Sequence, residues 1–309
     1  MSLMTIFISP KGFQRPHIAL IQKNAVRSWK QLGTDVDIVL IGDDEGVGQA
    51  AADLGVRYIA DVKRNDSGTP LLSDIFQLAR ETSTSPLLAY VNADILLFPD
   101  FLAQAERVLA QKNHFLMVGQ RWDLDVQTEI DFEGDWQSWL KDEIKERGRR
   151  HPPSGSDYFI YPRSCFEQIP DFAIGRSGWD NWMLYEARQR HWSLIDCSDA
   201  IDIVHQDHDY QHLPNGKSHY RLPESKTNVE LAGGKRCIFT LRDCNRRLTR
   251  EGKIERQPFS FERLSRELEI FPSVTLHSKA LDNLAYALFH PKKWYGDRLA
   301  KSRQRKESS

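Results

Sequence analysis

Four short stretches of this 309-residue sequence carry side chains able to do chemistry. Asn92-Ala93-Asp94 ends the apolar run 87–91, and Asp43-Asp44 follows Gly42. Asp180 lies in GWDNW (178–182), between Trp179 and Trp182. HQDHDYQH (205–212) is the densest cluster of metal-capable groups in the chain. Within it, His205 and His208 are three residues apart, together on a helix but apart on a strand. The β-branched run before His205 favours a strand end and a single histidine ligand, with His205 ahead of His208. No cysteine pair has zinc spacing. Cys165, Cys197, Cys237 and Cys244 read as reduced thiols of a cytoplasmic protein.

Such groups act together only if the fold converges them. Strands are expected over 5–10, 36–41, 56–60 and 87–91. Between them lie helical patterns at 16–32, at 47–54 and after Ser67-Gly68-Thr69-Pro70, where Thr69 is the expected N-cap and Pro70 the first helical residue. A βαβαβαβ order implies a parallel sheet with helices on both faces and every strand's C-terminal end on one side. Open α/β sheets bind ligands at that edge. Its residues would be Ser9-Pro10, Gly42-Asp43-Asp44, Asp61 and Asn92-Ala93-Asp94, and three of these four strand ends are acidic. An acidic edge suits a bound cation, sugar and ribose hydroxyls, or both. Asp100 is the expected cap of a helix over 100–111. The second half is less regular, with short strands, a helix at 135–147, and a charged helical region from about residue 250.

Composition sets limits on this reading. Hydrophobic residues make up 40% and charged residues 28% of the chain, which fits an ordinary globular protein. A net charge of -1 argues against a nucleic-acid partner. No apolar stretch is long enough to span a bilayer. Residues 291–306 carry seven Lys/Arg against one Asp; they read first as a solvated terminal helix, and alternatively as a weak peripheral contact with anionic membrane lipid.

In their order, these stretches resemble the GT-A type of nucleotide-sugar glycosyltransferase, in particular the inverting family 2-like group. YVNADILLFPDFL resembles that fold's acidic metal motif, with Asn92 where those enzymes carry a first Asp. LIGDDEG (40–46) resembles the nucleoside-contacting strand end, GWDNW the segment with the catalytic carboxylate, and IVHQDHD (203–209) the segment supplying a late metal ligand. The similarity covers roughly residues 4–210. It implies an α/β fold, a mostly parallel Rossmann-like sheet with helices on both faces. It places a catalytic domain at 1–250, with a nucleotide-binding half at 1–112 and an acceptor half at 113–250. A helical extension with a basic tail would occupy 251–309.

The resemblance implies a nucleoside diphosphate sugar as donor, a UDP-sugar first among them, and a saccharide or glycoconjugate acceptor. A divalent metal, Mn²⁺ or Mg²⁺, would be held by Asp94 with His205 or His208. Ser9, Pro10, Asp43, Asp44, Asn65, Gly68, Thr69, Asn92 and Ala93 are the expected donor contacts. Asn92 is neutral and binds a ribose hydroxyl or a metal only through its amide oxygen. Asp180 is the candidate base for the acceptor hydroxyl. Arg121, Trp122, Asp123, Asp157, Trp179 and Trp182 are candidate sugar or acceptor contacts, the indoles by stacking on a sugar face. Two alternatives remain at this point: a sugar nucleotidyltransferase, for which SPKGFQRP (9–16) has too few glycines, and a nucleotide-sugar-binding protein without catalysis.

Overall fold

The computed structural model describes residues 2–208 and 222–296. The elements are β1 (Met4–Ile8), α1 (Pro16–Lys30), β2 (Val36–Ile41), α2 (Val47–Leu54), β3 (Arg57–Ile59), α3 (Leu72–Glu81), β4 (Leu87–Val91), β5 (Ile95–Leu97) and α4 (Asp100–Leu109). Then come β6 (Phe115–Val118), β7 (Trp122–Leu124), α5 (Trp136–Arg147), β8 (Arg149–Arg150), β9 (Tyr158–Pro162), α6 (Trp179–Gln189), β10 (Ser193–Asp196) and β11 (Ile203–Gln206). The last are α7 (Pro223–Leu231), β12 (Arg246–Leu248), β13 (Ile254–Arg256), α8 (Phe261–Val274) and α9 (Lys279–Phe289). Among the described residues, no helix is long and apolar enough to cross a membrane.

The main sheet has the order β13-β12-β10-β6-β9-β4-β1-β2-β3. Its strands β4, β1, β2 and β3 are parallel, as the βα alternation requires. β9 runs antiparallel between β4 and β6, so its N-terminal end meets their C-terminal ends. β1, β4, β6 and β9 are buried along their whole length, and α1, α3 and α6 pack apolar stripes onto the sheet.

A second, smaller sheet has the order β5-β11-β7-β8. Its strands are too short to announce themselves by periodicity. One face builds a separate core from Leu96, Leu124 and Val204 against Trp136 and Leu140 of α5. Alternation along β11 then turns His205 to the opposite face. Helix α1 holds this sheet by an unusual buried polar face. Trp29 Nε1 donates to Ile95 O at 2.8 Å, Ser28 Oγ accepts from Leu97 N, and Asn24 Nδ2 donates to Gln206 Oε1. Asn24 and Ser28 are fully buried, so these bonds replace lost water and would be costly to leave unmade.

Two expected caps are corrected. Helix α3 starts at Leu72, not Pro70, and Thr69 does not cap it. The Asn65 side chain accepts from the N–H groups of Ser67 and Thr69, and Pro70 and Leu71 make bridges to Arg64 and Ala173. The local turn outcompetes the first helical turn. Asp100 opens α4 but does not cap it; its carboxylate accepts instead from Asp202 N at 3.0 Å. Burial raises the Asp100 pKa to about 6.

Trp29→Phe keeps the ring but removes the donor to Ile95 O. The expected loss of stability is about 1–3 kcal/mol, read from urea unfolding with an unchanged m-value.

Candidate active site

β4 ends at Val91, and the turn Asn92-Ala93-Asp94 carries the chain from the main sheet into the second one. Asp94 therefore sits at the junction of both sheets. β11 pairs His205 with Ile95 on one side and with Asp123 on the other. Gln206 N donates to Asp94 O at 3.0 Å, which continues the pairing and fixes the turn. The strand ends at Gln206, so strand alternation no longer governs His208. Both histidine rings approach Asp94.

His208 Nε2 lies 3.0 Å from Asp94 Oδ2, and His205 Nε2 lies 3.7 Å from the same oxygen. One ligand atom from each of the three residues falls within 4.8 Å of the others. Asp94 Oδ1 is buried and has no hydrogen-bond partner among the described residues. The other ring nitrogen of His205, Nδ1, faces Asp123 Oδ1 at 3.2 Å and Asp207 Oδ1 at 3.6 Å. Asp123 is itself bonded to Arg121 Nε at 2.8 Å and to His151 Nδ1 at 2.9 Å.

These contacts set the protonation states. Burial opposes ionisation of Asp94, but the charge of His205 and the hydrogen bond from His208 outweigh it and hold the carboxyl well below its usual range. Asp123 is likewise held low, its burial outweighed by His205, His151 and Arg121. Burial disfavours a charged His205, yet Asp94, Asp123 and Asp207 raise its pKa to about 9. The protein alone thus keeps a proton on His205 where a cation would otherwise sit.

The residues fit a metal on the Asp94 side of the ring. The orphaned Asp94 oxygen, the two Nε2 atoms and the shared cleft provide it, and one carboxylate with two imidazoles suits Mn²⁺ better than the oxygen-seeking Mg²⁺. Asp123 opposite Nδ1 would then hold the tautomer that leaves Nε2 free. A second group, Asp123, His205 and Asp207, uses the other ring nitrogen and faces away from this cleft.

The cleft itself has a volume of about 630 Å³ and opens along the C-terminal edge of the main sheet. It is lined by Ser9, Pro10, Asp44, Gly68, Thr69, Asn92, Ala93, Asp94, Arg121, Asp157, Trp179, Asp180, His205 and His208 among the residues singled out from sequence. Asp180 is the second residue of α6, and its Oδ1 accepts from Gly178 N at 3.3 Å. Burial, reinforced by the nearby Asp157 charge, raises its pKa to about 6 against the opposing backbone N–H groups.

Other candidates lie elsewhere. Asp43 is turned outward and paired with Arg64, which also holds Asp44 at 2.9 Å. Asn65 is spent on its own loop and on Glu224 Oε1 at 2.8 Å. Trp122 lies under Arg150 and donates to Asp202, outside the cleft. Trp182 packs on Phe172 and Phe166 in the core. Asp123 turns toward His205 and not toward the cleft. Sequence reading gave no site role to Arg64, Arg176, His151 or Asp207. Arg64, in the basic pair Lys63-Arg64 soon after β3, closes over the acidic strand end.

No protein-family model and no curated protein matches this chain. Solved structures do. Against S. aureus TarS 1-349 in complex with UDP-GlcNAc, the TM-score is 0.50 at 12% identity, covering 75% of this chain and 65% of that one. The fold is GT-A. A mannosyltransferase from Pyrobaculum calidifontis, in complex with GDP-Man and Mn²⁺, aligns with a TM-score of 0.45 and 13% identity over 68% of this chain and 58% of that one. Glucosyl-3-phosphoglycerate synthase from Mycobacterium tuberculosis, in complex with UDP, aligns at 0.48 and 13% over 75% and 81%. The chain spans less than two thirds of the first two of these structures.

Asn92, where the GT-A motif would carry a first Asp, has a local reason. Its Nδ2 donates to Asp157 Oδ1 at 3.0 Å, and its backbone N–H donates to Asp157 O. An Asp there would set two carboxylates against each other. Asn92→Asp is expected to cost about 1–3 kcal/mol at neutral pH in urea unfolding.

Proposed function

We propose that this protein is a metal-assisted glycosyltransferase that moves a sugar from a nucleoside diphosphate donor to an acceptor hydroxyl, with inversion. The observation that carries the reading is the convergence of Asp94, His205 and His208 in the same GT-A cleft as the buried carboxylate of Asp180. Asp94 and the two histidines hold the cation, which when bound supplies positive charge to the departing diphosphate. Lys11, whose charge is felt at Asp94, adds to that field from the cleft wall. Asp44, with Arg64, Ser9 and Pro10, forms the wall for the nucleoside. Trp179 lines the cleft beside Asp180 and stacks against the transferred or accepting sugar.

Asp180 takes the proton from the acceptor hydroxyl as that oxygen bonds to the anomeric carbon. The bond from that carbon to the diphosphate breaks, and its electron pair leaves with the nucleoside diphosphate. A carboxylate with a pKa of about 6 is mostly ionised at neutral pH and more basic than an exposed Asp. A UDP-sugar is the donor we favour, and Mn²⁺ the cation.

Calorimetric titration of UDP tests the first half of this reading. Binding should require Mn²⁺, vanish in EDTA and vanish in Asp94→Ala. UDP affinity that survives both EDTA and Asp94→Ala would sink the metal assignment, and GDP and dTDP then decide the base. Turnover tests the second half. Asp180→Asn should lower kcat by at least about a hundredfold while UDP binding persists. In the wild type, kcat should fall as pH drops through about 6, because protonated Asp180 cannot accept a proton. Undiminished turnover in Asp180→Asn would remove it from the base role.

A further inference from the structure

The C-terminal helices leave much of their apolar surface exposed. Helix α8 rests on the body of the protein through Ile270 and Val274 and through polar groups: Glu267 forks onto Arg188 at 2.7 and 3.1 Å, Arg266 pairs with Asp243 at 2.7 Å, and Arg263 donates to Cys244 O. Helix α9 is tied in the same way, through Asp282 to Arg236 at 2.6 Å. Glu269 of α8 meets His290 at 2.8 Å. The other large apolar residues are left outside. Phe261, Leu264, Leu268 and Phe271 recur at helical spacing on α8, and Phe261 is 83% exposed. Leu281, Leu284 and Leu288 repeat the pattern on α9, and Leu288 is 71% exposed. Scattered exposed leucines need no explanation, but two consecutive stripes on packed neighbouring helices do.

We propose that α8 and α9 are the face by which this protein docks on an anionic lipid surface. Two observations select lipid over other occupants. The chain continues from α9 into 291–306, with seven Lys/Arg against one Asp, while the remainder of the chain is net acidic. Basic charge beside an apolar stripe is the pairing that anionic bilayers bind, the side chains entering the acyl boundary and the cations meeting headgroups. Trp294 and Tyr295 follow directly, the residue types that settle at the headgroup level.

The test is co-sedimentation of the full chain with vesicles of three parts phosphatidylcholine to one part phosphatidylglycerol, and with phosphatidylcholine alone. The wild type should pellet with the anionic vesicles and far less with the neutral ones. The triple substitution Phe261→Ser, Leu264→Ser and Leu268→Ser should weaken partitioning at least about tenfold with an unchanged thermal midpoint, since these side chains support no core. Lys292→Glu with Lys293→Glu lies beyond α9 and offers an independent loss of anionic-vesicle binding. A wild type that stays in the supernatant overturns the proposal. So does a folded triple variant that pellets like the wild type. A wild-type dimer in light scattering that the triple variant dissociates, with no vesicle binding, would assign the face to a second copy.

Discussion

The pairing of β11 with β5 on one edge and β7 on the other is the constraint on which the site depends. Only in this register does His205 stand between Asp94 and Asp123. A slip of one residue would turn the ring into the Trp136 core and bring Val204 out toward the acids. The register is held from the face opposite His205. Val204 fills the small core, and the buried amides of Asn24 and Gln206 tie the strand to α1. Gln206 Nε2 also donates to Ile21 O at 2.8 Å. Apolar burial supplies most of the energy, and the polar contacts remove alternative registers that would leave donors unpaired.

Charge in the cleft follows the same logic of pairing. Asp94, Asp123 and Asp157 are little exposed, and each faces a cation or a histidine. Arg121 bridges Asp123 and Asp157, and their charges outweigh its burial to hold its pKa above the usual range. Asp180 lies in the same cleft with no such partner among the described residues, and backbone N–H groups at the start of α6 support it. Two carboxylates in one cleft are thus driven in opposite directions by their surroundings, which separates a ligand from a base.

The same principle operates far from the cleft. The inward side of α8 is satisfied by Arg188 and Asp243 on the protein body and by burial of Ile270 and Val274, which leaves the Phe261, Leu264 and Leu268 side exposed among the described residues. Ion pairs with one member buried are expensive to break, because the partner left behind keeps its desolvation cost. Arg188 and Asp243 are both buried, so what these charges would lose, together with the burial of Ile270 and Val274, fixes the orientation of α8 against the pull of its exposed leucines.

Much of this architecture was legible in the residues. The βα alternation announced a mostly parallel sheet, and with it the edge that carries Asp44 and Asp94. GWDNW marked a helix start, and the helix does begin at Trp179. What the sequence could not show were contacts made by short strands and distant turns. β5, β7 and β11 have three or four residues each, too few for a period to stand out, and their partners come from across the chain. Asn92 meets Asp157 only because β9 inserts antiparallel beside β4. Trp179 and Trp182 look equivalent in sequence, yet only the first lines the cleft, because the helix rotates the second into the core. The sequence by itself determined which side chains carry charge and which stripes are apolar. The tertiary structure alone decided which charges neutralise one another, because that depends on distances of a few ångströms between segments far apart in the chain.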